Sequence, residues 1–424
     1  MNGKTILLWF RNDLRVHDNE ILLEAVKRSA NIVPVFCFDP RYFTDTKYGT
    51  KKTGVFRAKF LLEGVNGLRQ SLQKLGGDLL IRMGMPEEIL PEICQQYHIS
   101  EVYHHREVAA EETDISEKVE TALWKQQINL KHFIGHTLYH KEDLPFPIKD
   151  IPDAFTSFKK KIERDSNVRP GFATPEKVVI PEDMETGDLP SLSDLGFDVP
   201  QVDERSQYRF IGGEEKGLSR LTEFLTNQAN IPVKANKNIS TPTSLLSPWL
   251  SIGCLSPREV YWQVKNYDKE HASTDIAASI ILELQWRDYF RFMLKKHGSK
   301  VTSSVAELSP DEFESFNRWK ASQTGVGVVD ACIAELNTTG YINGKCRQYI
   351  ATYLVKEMKV SWRAGAAFFE EKLIDYSPAS NWGNWTYIAG DGIMSANRPI
   401  AIKTDTILEE QYISKWMPKL NKVH

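Results

Sequence analysis

The feature that most constrains the fold is an alternation of short apolar runs and amphipathic segments in the first third of the chain. Apolar runs of strand length lie at residues 5–10, 32–38, 78–82, 101–104 and 128–133. Segments with helical periodicity fill the intervals between them. Such alternation predicts a doubly wound parallel sheet, which binds ligands at the carboxyl ends of its strands. Arg11-Asn12-Asp13-Leu14-Arg15 follows the first run in place of a glycine-rich turn, so a dinucleotide fingerprint is absent.

Two helix boundaries can be predicted in this region. Asp18 is expected to cap the first helix, because an acidic side chain can accept hydrogen bonds from the free amides of a first turn. Gly76-Gly77 is expected to end the helix that begins near Arg57, because glycine readily adopts the left-handed conformation at a helix end.

The rest of the chain divides into two further parts. Between Gly135 and Gln201 the periodicity fades and prolines recur, which predicts a long connector lying over the surface. After Glu204 helical periodicity continues almost to the last residue. We therefore expect an α/β domain at residues 1–134, a connector at 135–204 and an all-helical domain at 205–424.

Composition narrows the class of protein. The formal net charge is −3, so binding of nucleic acid would need a local basic patch. The five cysteines lack the paired spacing of metal ligands and are interpreted as free thiols in a reducing compartment. The first residues lack the pattern of a signal peptide, and no apolar run approaches membrane-spanning length. We expect a cytoplasmic monomer with no metal site and no membrane partner.

The segment Asp375–Tyr387 concentrates rings, amides and turn-forming residues. Pro378 and Gly383 favour an ordered loop over a helix or a strand. Trp385 and Asn381 supply a ring with a polar group and a two-way hydrogen-bonding amide. The loop could line a pocket for a flat ligand rich in heteroatoms, and a tryptophan-rich core loop is the alternative.

A hydroxyl-rich segment precedes a predicted helix start. Its residues are Thr243, Ser244, Leu245, Leu246 and Ser247. Several hydroxyl and amide donors near a helix N-terminus make a candidate phosphate site. Ordinary capping of the helix is the alternative interpretation.

One predicted helix carries a carboxylate, a ring and two guanidinium groups on the same face. Glu283, Trp286, Arg287 and Arg291 fall at i, i+3, i+4 and i+8. Such a face could hydrogen-bond a base edge, stack on a base and bind phosphate. A structural salt-bridge face is the alternative.

A second polar group lies near another helix start. It consists of Lys345, Arg347 and Gln348, and Arg347 is a natural partner for Asp375. Trp319 and Trp362 lie in separate predicted helices upstream of Trp385. Three separated tryptophans are most often three core rings, and their spacing alone does not show whether they line up.

Taken together, these residues resemble the photolyase/cryptochrome flavoproteins and, within that family, the cryptochromes of DASH type. The resemblance covers essentially the whole chain. The matching segments are Trp9–Asn19, Thr53–Arg57, Thr137–His140, Leu144–Phe146, Glu283–Arg287, Thr324–Ala331, Arg347-Gln348 and Asp375–Tyr387.

The resemblance implies that the helical domain binds FAD in a U-shaped conformation. The implied cofactor-binding residues are Thr243, Ser244, Leu245, Leu246, Ser247, Arg287, Arg347, Asp375, Ser377 and Asn381. The hydroxyl segment and Arg287 would hold the phosphate end, Asn381 would face flavin N5, and Arg347 would pair with Asp375 beside the isoalloxazine. Trp385, Trp362 and Trp319 match a relay that carries electrons from the protein surface to the flavin.

The resemblance also implies light-driven repair of cyclobutane pyrimidine dimers by reduced FAD. Glu283 matches the carboxyl group that hydrogen-bonds the lesion, and Trp286 matches the ring packed against it. The other implied lesion-binding residues are Gly344, Lys345, Gln348 and Tyr387. Single-stranded DNA is the expected substrate, with RNA and looped duplex as further candidates. A blue-light photoreceptor with little repair activity is the alternative function.

A folate antenna, 5,10-methenyltetrahydrofolate, is a further implication of the resemblance. Relatives of DASH type use an acidic residue after the fourth strand, for which Glu111 and Glu112 are the candidates.

The chain also departs from the family pattern at several positions. Gly344 replaces the usual asparagine, Lys345 an arginine, Ser377 an aspartate and Gly327 a proline, and no tyrosine lies near Ile231.

Overall fold

The computed structural model describes residues 4–228, 244–271, 274–298, 307–390 and 406–417. Its first part is built on a five-stranded sheet. The strands are β1 Thr5–Phe10, β2 Asn31–Phe38, β3 Leu80–Met83, β4 Ile99–His105 and β5 Asn129–Phe133. Their order is β3-β2-β1-β4-β5 and every neighbouring pair is parallel, which confirms the predicted doubly wound sheet. Every residue of β1 is buried, as an apolar run at the centre of a parallel sheet should be.

Four helices connect these strands. They are α1 Glu20–Arg28, α2 Val55–Lys74, α3 Pro86–Gln96 and α4 Ala110–Trp124. Gly76 lies just after α2 with a left-handed φ of 87°, so the predicted end of this helix is confirmed. The predicted cap of α1 is wrong by one residue, because the side chain of Asn19 accepts the hydrogen bond from the Leu22 amide.

Residues 135–204, predicted as a proline-rich connector, contain one α-helix that was not predicted from the sequence. Helix α5, Phe155–Asp165, buries Phe158 and Ile162 against the helical part of the protein. Two other sections of this stretch are fixed to the sheet, since the Ile32 amide donates to Val179 O at 2.8 Å and the Ile81 amide donates to Thr186 O at 2.7 Å. The predicted connector therefore lies against the strands and is held there by main-chain hydrogen bonds.

The second half of the chain is helical, as predicted. Its helices are α6 Glu214–Gln228, α7 Ser247–Ser251, α8 Pro257–His271, α9 Thr274–His297, α10 Pro310–Lys320, α11 Gly327–Thr339, α12 Gly344–Thr352, α13 Trp362–Lys372, α14 Pro378–Ala389 and α15 Thr406–Trp416. A short π-helical segment, Tyr353–Glu357, follows α12. No helix within the described ranges is long and apolar enough to cross a membrane.

The prediction of a loop over Asp375–Tyr387 is wrong, because most of this segment forms α14. Pro378 occupies the first turn, where its missing amide costs no hydrogen bond. The polar side chains bond to their own helix: Asn384 Nδ2 donates to Ser380 O at 2.8 Å. Gly383 permits close packing, since a Cβ there would lie 2.3 Å from Phe290 Cδ1.

The segment after β1 is fixed to the helical half by buried contacts. Arg15 Nη1 donates to Gly253 O at 2.9 Å, and a Cβ on Gly253 would lie 1.8 Å from Asn12 O. Arg258 donates to both carboxylate oxygens of Asp18, at 2.6 and 3.0 Å. Asp18 therefore joins the two halves of the molecule and does not cap α1.

Candidate functional site

Helix α9 brings the predicted lesion-binding groups to one face. The Trp286 ring stacks on Phe155 with centroids 3.6 Å apart and planes at 12°. Its centroid lies 6.0 Å from that of Tyr387, at an interplanar angle of 77°. One turn earlier, the Glu283 carboxylate accepts a hydrogen bond from the Ser244 hydroxyl at 3.1 Å. Glu283, Trp286 and Tyr387 thus come from two helices, α9 and α14, to one region.

The Glu283 carboxyl is accessible to solvent, yet the surrounding protein changes its protonation. Desolvation raises the pKa of Glu283, and the hydrogen bond from Ser244 opposes that shift. A carboxyl group with a raised pKa keeps its proton to higher pH and can donate a hydrogen bond.

The two arginines of the α9 face are occupied by other partners. Arg287 donates to His136 O and, at 3.1 Å, to Leu250 O. Its burial lowers the pKa of Arg287 to about 10. Arg291 pairs with Glu107 at 2.8 Å. Arg287 and Arg291 therefore have structural roles on the α9 face, as the alternative interpretation of the sequence proposed.

The hydroxyl segment contacts carboxylates as well as a helix start. Ser247 Oγ donates to Asp375 Oδ2 at 2.6 Å, and Leu246 caps α7 without a side-chain hydrogen bond. Leu245 has a φ of 57°, in the left-handed region that a leucine rarely adopts. Thr243 and Ile231 lie outside the described residues.

Arg347 and Asp375 pair as the sequence predicts. Arg347 Nη2 lies 2.8 Å from Asp375 Oδ2, and Nε donates to Ile342 O at 2.8 Å. Burial alone would lower the pKa of Arg347, but the charge of Asp375 raises it above the ordinary value. Asp375 Oδ1 is buried and has no hydrogen-bond partner in the described part of the chain.

One hydrogen bond orients the side-chain amide of Asn381 and leaves its oxygen available to a ligand. Its Nδ2 donates to Ala366 O at 3.0 Å, which fixes the orientation of the amide. Its Oδ1 is buried and has no partner among the residues that the structure describes. Unpaired buried acceptors on Asn381 and Asp375 are costly in an empty protein, so both fit a site that receives a ligand with N–H or O–H donors.

The three tryptophans lie in one core cluster, which is the usual situation for separated tryptophans. Trp385 packs on Phe369 and Trp319 on Phe368, with centroids 5.0 and 5.1 Å apart. Trp319 is 0% exposed and its Nε1 donates to Ile350 O at 3.2 Å. Trp319 is therefore not a ring that solvent reaches, and its part in the predicted relay stays a prediction. Burial depends on tertiary packing, which its sequence context does not reveal.

Gly344, Lys345 and Gln348 are exposed at the start of α12. A Cβ on Gly344 would meet no atom of the described residues within 4 Å. The cap of α12 is Asn343, whose side chain accepts from the Cys346 amide. At Gly327 a Cβ would lie 3.1 Å from Ile413 Cδ1 of α15, a tight contact that a small shift of this side-chain end could relieve.

A cavity of about 410 Å³ lies at the carboxyl ends of β1 and β2, facing the helical half. The residues lining it include Asn12, Glu112, Ser377, Pro378 and Trp382. Its lining also includes Glu111, and both Glu111 and Glu112 follow β4, so the cavity adjoins the switch point between β1 and β4, where doubly wound sheets bind ligands. Ser377, predicted at the FAD site, thus lines this cavity.

Glu112 is the buried acid of the cavity wall. The Asn12 amide donates to Glu107 at 2.9 Å and to Glu112 at 3.3 Å. Burial and the nearby charge of Glu107 raise the pKa of Glu112 to about 8. Glu111 is more exposed and pairs with Lys52 at 2.5 Å. The sequence did not single out Asn12 or Glu107, although Asn12 lies in the turn after the first strand, where ligands are expected.

Comparison with known proteins agrees with this architecture. The DNA photolyase model matches residues 6–177, and the FAD binding domain of DNA photolyase matches residues 280–424. The cryptochrome DASH of Gloeobacter violaceus is 40% identical, covering 99% of this chain and 87% of the relative. The cryptochrome DASH of Xenopus laevis is 38% identical over 99% of this chain and 84% of the relative.

Solved structures extend the comparison to the fold. The Synechocystis sp. PCC6803 cryptochrome superposes with a TM-score of 0.89 at 38% identity, covering 100% of this chain and 91% of its own. A photolyase from Sulfolobus tokodaii, solved with two FAD molecules, gives 0.79 at 25% identity, with 99% and 91% coverage. Sequence relatives, both domain models and the fold agree, and the chain belongs to the cryptochrome DASH branch of the photolyase/cryptochrome family.

Proposed function

We propose that the protein is a light-driven photolyase that splits cyclobutane pyrimidine dimers, preferentially in single-stranded DNA. The observation that carries the proposal is the convergence of Glu283, Trp286 and Tyr387 at one site. A carboxyl group beside two aromatic rings suits a flipped pyrimidine pair, which offers carbonyl acceptors and flat faces.

FAD is the cofactor that the matched domain and the residues support. Ser244, Ser247, Arg347, Asp375 and Asn381 would hold it, and the free acceptors of Asp375 and Asn381 fit its donors. When bound and reduced, FAD supplies the electron that opens the dimer after light absorption. The left-handed conformation of Leu245, within the hydroxyl segment, is the kind of backbone strain that ligand-binding segments retain.

Glu283 is the residue that we assign to the lesion. Because its pKa is raised, this carboxyl keeps a proton to higher pH than an ordinary glutamate, and the protonated form can donate to a pyrimidine carbonyl while Ser244 holds its other oxygen. Trp286 is held rigidly by its stack on Phe155, so little side-chain entropy is lost when a base packs beside it.

The preference for single-stranded DNA follows from how little stacking and contact the site provides to a base flipped out of a duplex. Extruding a base from duplex costs a few kcal/mol. Aromatic stacking returns roughly 1–3 kcal/mol per base. Tyr387 gives less stacking area than a tryptophan would, and Gly344 presents no side chain in an open position. A single strand avoids most of the flipping cost and needs less from these residues.

Repair assays on matched single- and double-stranded dimer substrates test the proposal. We expect fast repair of the single strand and slow repair of the duplex when the bound FAD is fully reduced. Equal rates would contradict the strand preference. No repair of either substrate would favour the blue-light photoreceptor.

We further propose that the cavity binds a folate antenna, 5,10-methenyltetrahydrofolate, through Glu112. A neutral buried carboxyl next to the Asn12 amide can donate and accept hydrogen bonds, as recognition of a pterin edge requires. Reconstitution with the folate should add near-ultraviolet absorbance, and Glu112→Gln should weaken it more than Glu111→Gln, because Glu111 is paired with Lys52. Equal losses in both variants would contradict the assignment.

We also infer a three-part organisation and a cytoplasmic monomer. The sheet ends at Phe133 and α6 begins at Glu214, which supports an antenna domain at 1–134, a connector at 135–204 and an FAD domain at 205–424. All five cysteines are buried free thiols, as expected in a reducing compartment. Light scattering on the purified protein tests the monomer, and a dimer mass would contradict it.

A further inference from the structure

None of the three matched tryptophans is exposed enough for a reductant in solution to reach it. Trp385, Trp362 and Trp319 are 1%, 7% and 0% exposed. A relay that takes electrons from solution needs a last ring that solvent contacts. Trp319 does not meet this condition, because it is buried and its Nε1 donates a hydrogen bond to Ile350 O.

A fourth tryptophan, Trp382, does meet it. Its ring lies edge-to-face on Trp362, with centroids 5.5 Å apart and planes at 80°. It is half-buried and lines the cavity at the end of the sheet. Pro378, one turn earlier on α14, lines the same cavity, whereas Asn381 and Trp385 are buried. Helix α14 is therefore the wall between the cavity and the tryptophan core, and Trp382 reaches both.

We propose that Trp382 is the outer electron donor of the relay, which runs from Trp382 through Trp362 to Trp385. The proposal rests on the proposed function, because oxidised FAD is its electron acceptor. Electronic coupling falls steeply with separation, so rings in contact exchange electrons far faster than rings separated by other side chains.

Electrostatics around Trp362 favour passing the positive charge outward. The Arg363 guanidinium lies 4.4 Å from the centroid of the Trp362 ring. Trp362 is also the first residue of α13, where the helix dipole is positive. A cation at the ring face and a positive helix end both raise the cost of removing an electron from this ring. An electron vacancy on Trp362 is therefore disfavoured, which favours its transfer onward from this ring.

Each step moves one electron inward. Trp385 gives one electron to oxidised FAD and receives one from Trp362, which receives one from Trp382. In protein without bound folate, the oxidised Trp382 indole releases its Nε1 proton to water in the cavity. A thiol in solution then returns one electron and one proton to Trp382 and becomes a thiyl radical. The net result of one photon is one electron transferred from thiol to FAD and one proton released.

Photoreduction of the holoprotein under blue light, with dithiothreitol as the reductant, tests this route. Trp382→Phe should slow photoreduction severalfold, and Trp319→Phe should slow it much less. Trp124→Phe is the matched control, because Trp124 is 72% exposed on α4, outside the relay. FAD absorbance and the melting temperature of each variant show whether the fold is kept.

A second measurement identifies the oxidised residue directly. Illumination in air without thiol should produce oxygenated indole at Trp382, detected by peptide mass spectrometry. Trp382→Tyr keeps an aromatic ring if the phenylalanine variant fails to fold, and it should replace the tryptophan radical signal in electron paramagnetic resonance by a tyrosyl signal. An unchanged tryptophan signal would overturn the proposal.

A third variant separates this inference from the proposed function. If Trp385→Phe, with FAD bound, photoreduces at the wild-type rate, the proposed relay to FAD is itself wrong. If Trp385→Phe is slow but Trp382→Phe matches wild type, only the role of Trp382 is overturned. A slow Trp319→Phe beside a fast Trp382→Phe would place the outer end at Trp319.

Discussion

At the scale of single residues, the environment decides what each carboxyl group can do. Glu112 and Glu283 both have a raised pKa, and desolvation by the surrounding protein is the first cause in each case. Glu107, by contrast, has a lowered pKa, because His136 and Arg291 outweigh its burial. Glutamates on one chain can therefore serve as neutral hydrogen-bond donors or as a fixed negative charge.

Replacing Glu283 with glutamine should reduce repair and leave binding almost intact. The amide keeps the shape of the side chain but removes the acidic proton that we assign to the lesion. A hydrogen bond between neutral groups contributes about 0.5–1.5 kcal/mol. We therefore expect a loss of roughly two- to tenfold in the repair rate.

The repair rate under single-turnover illumination is the measurement, with FAD absorbance and DNA affinity as controls. A wild-type rate in Glu283→Gln would remove the carboxyl group from the mechanism. A loss of FAD in the variant would instead indicate a role in holding the cofactor through Ser244.

Glu112 should make stability depend on pH. The folded protein keeps this proton up to a pH of about 8, whereas the unfolded chain releases it near the ordinary carboxyl pKa of about 4.3. Unfolding therefore releases a proton between these values, so the free energy of unfolding falls as the pH rises through this window. Glu112→Gln should lose this slope, and Glu111→Gln should keep it. Urea midpoints at several pH values measure the effect, and parallel slopes in wild type and Glu112→Gln would contradict it.

At the scale of elements, periodicity and packing carry different information. The sheet and its helices could be predicted because strand length, alternation and glycine ends are local signals. Helix α14 could not, because Pro378 and Gly383 are turn formers whose helical use depends on Phe290 and α13. Helix α5 was missed among prolines, although Phe155, Phe158 and Ile162 already repeat at helical spacing.

The contact between α13 and α14 depends on Gly365. A Cβ at this position would lie 2.2 Å from Trp385 Cη2 and 2.7 Å from Leu354 Cδ2. Gly365→Ala should therefore destabilise the protein by about 1–3 kcal/mol through overpacking. Gly344→Ala is the control, because a Cβ there meets nothing within 4 Å in the described part of the chain and alanine favours the helix. Thermal unfolding measures both, and equal melting temperatures would show that α13 and α14 move apart without cost.

At the scale of the whole molecule, the sequence predicted the parts but not how they are joined. The pairing of Arg347 with Asp375 followed from charge and proximity to helix starts. The Asp18–Arg258 pair did not, because its partners lie 240 positions apart and Asp18 had a plausible local role as a cap. The position of Trp382 against both the cavity and Trp362 likewise depends on tertiary packing.

Asp18→Asn should weaken the joint between the two halves. The pair is buried, with Asp18 at 2% and Arg258 at 7% side-chain exposure. Removing one charge leaves the other uncompensated, which typically costs about 3–5 kcal/mol. We expect a lower melting temperature and slower FAD uptake, measured by calorimetry and absorbance. Replacing both residues, as Asp18→Asn with Arg258→Gln, should recover part of the loss, and no recovery would contradict the pairing argument.

The close packing of Gly253 against Asn12 affects how the polypeptide can be divided into two fragments. Because the halves interlock through buried side-chain and main-chain contacts, a peptide bond between them is not needed to keep them together. Val199 and Val202, exposed by 76% and 67%, mark a stretch where a break would disturb little packing. Two co-expressed fragments divided there should associate into a working whole, so the gene could be split and the two polypeptides placed under separate control.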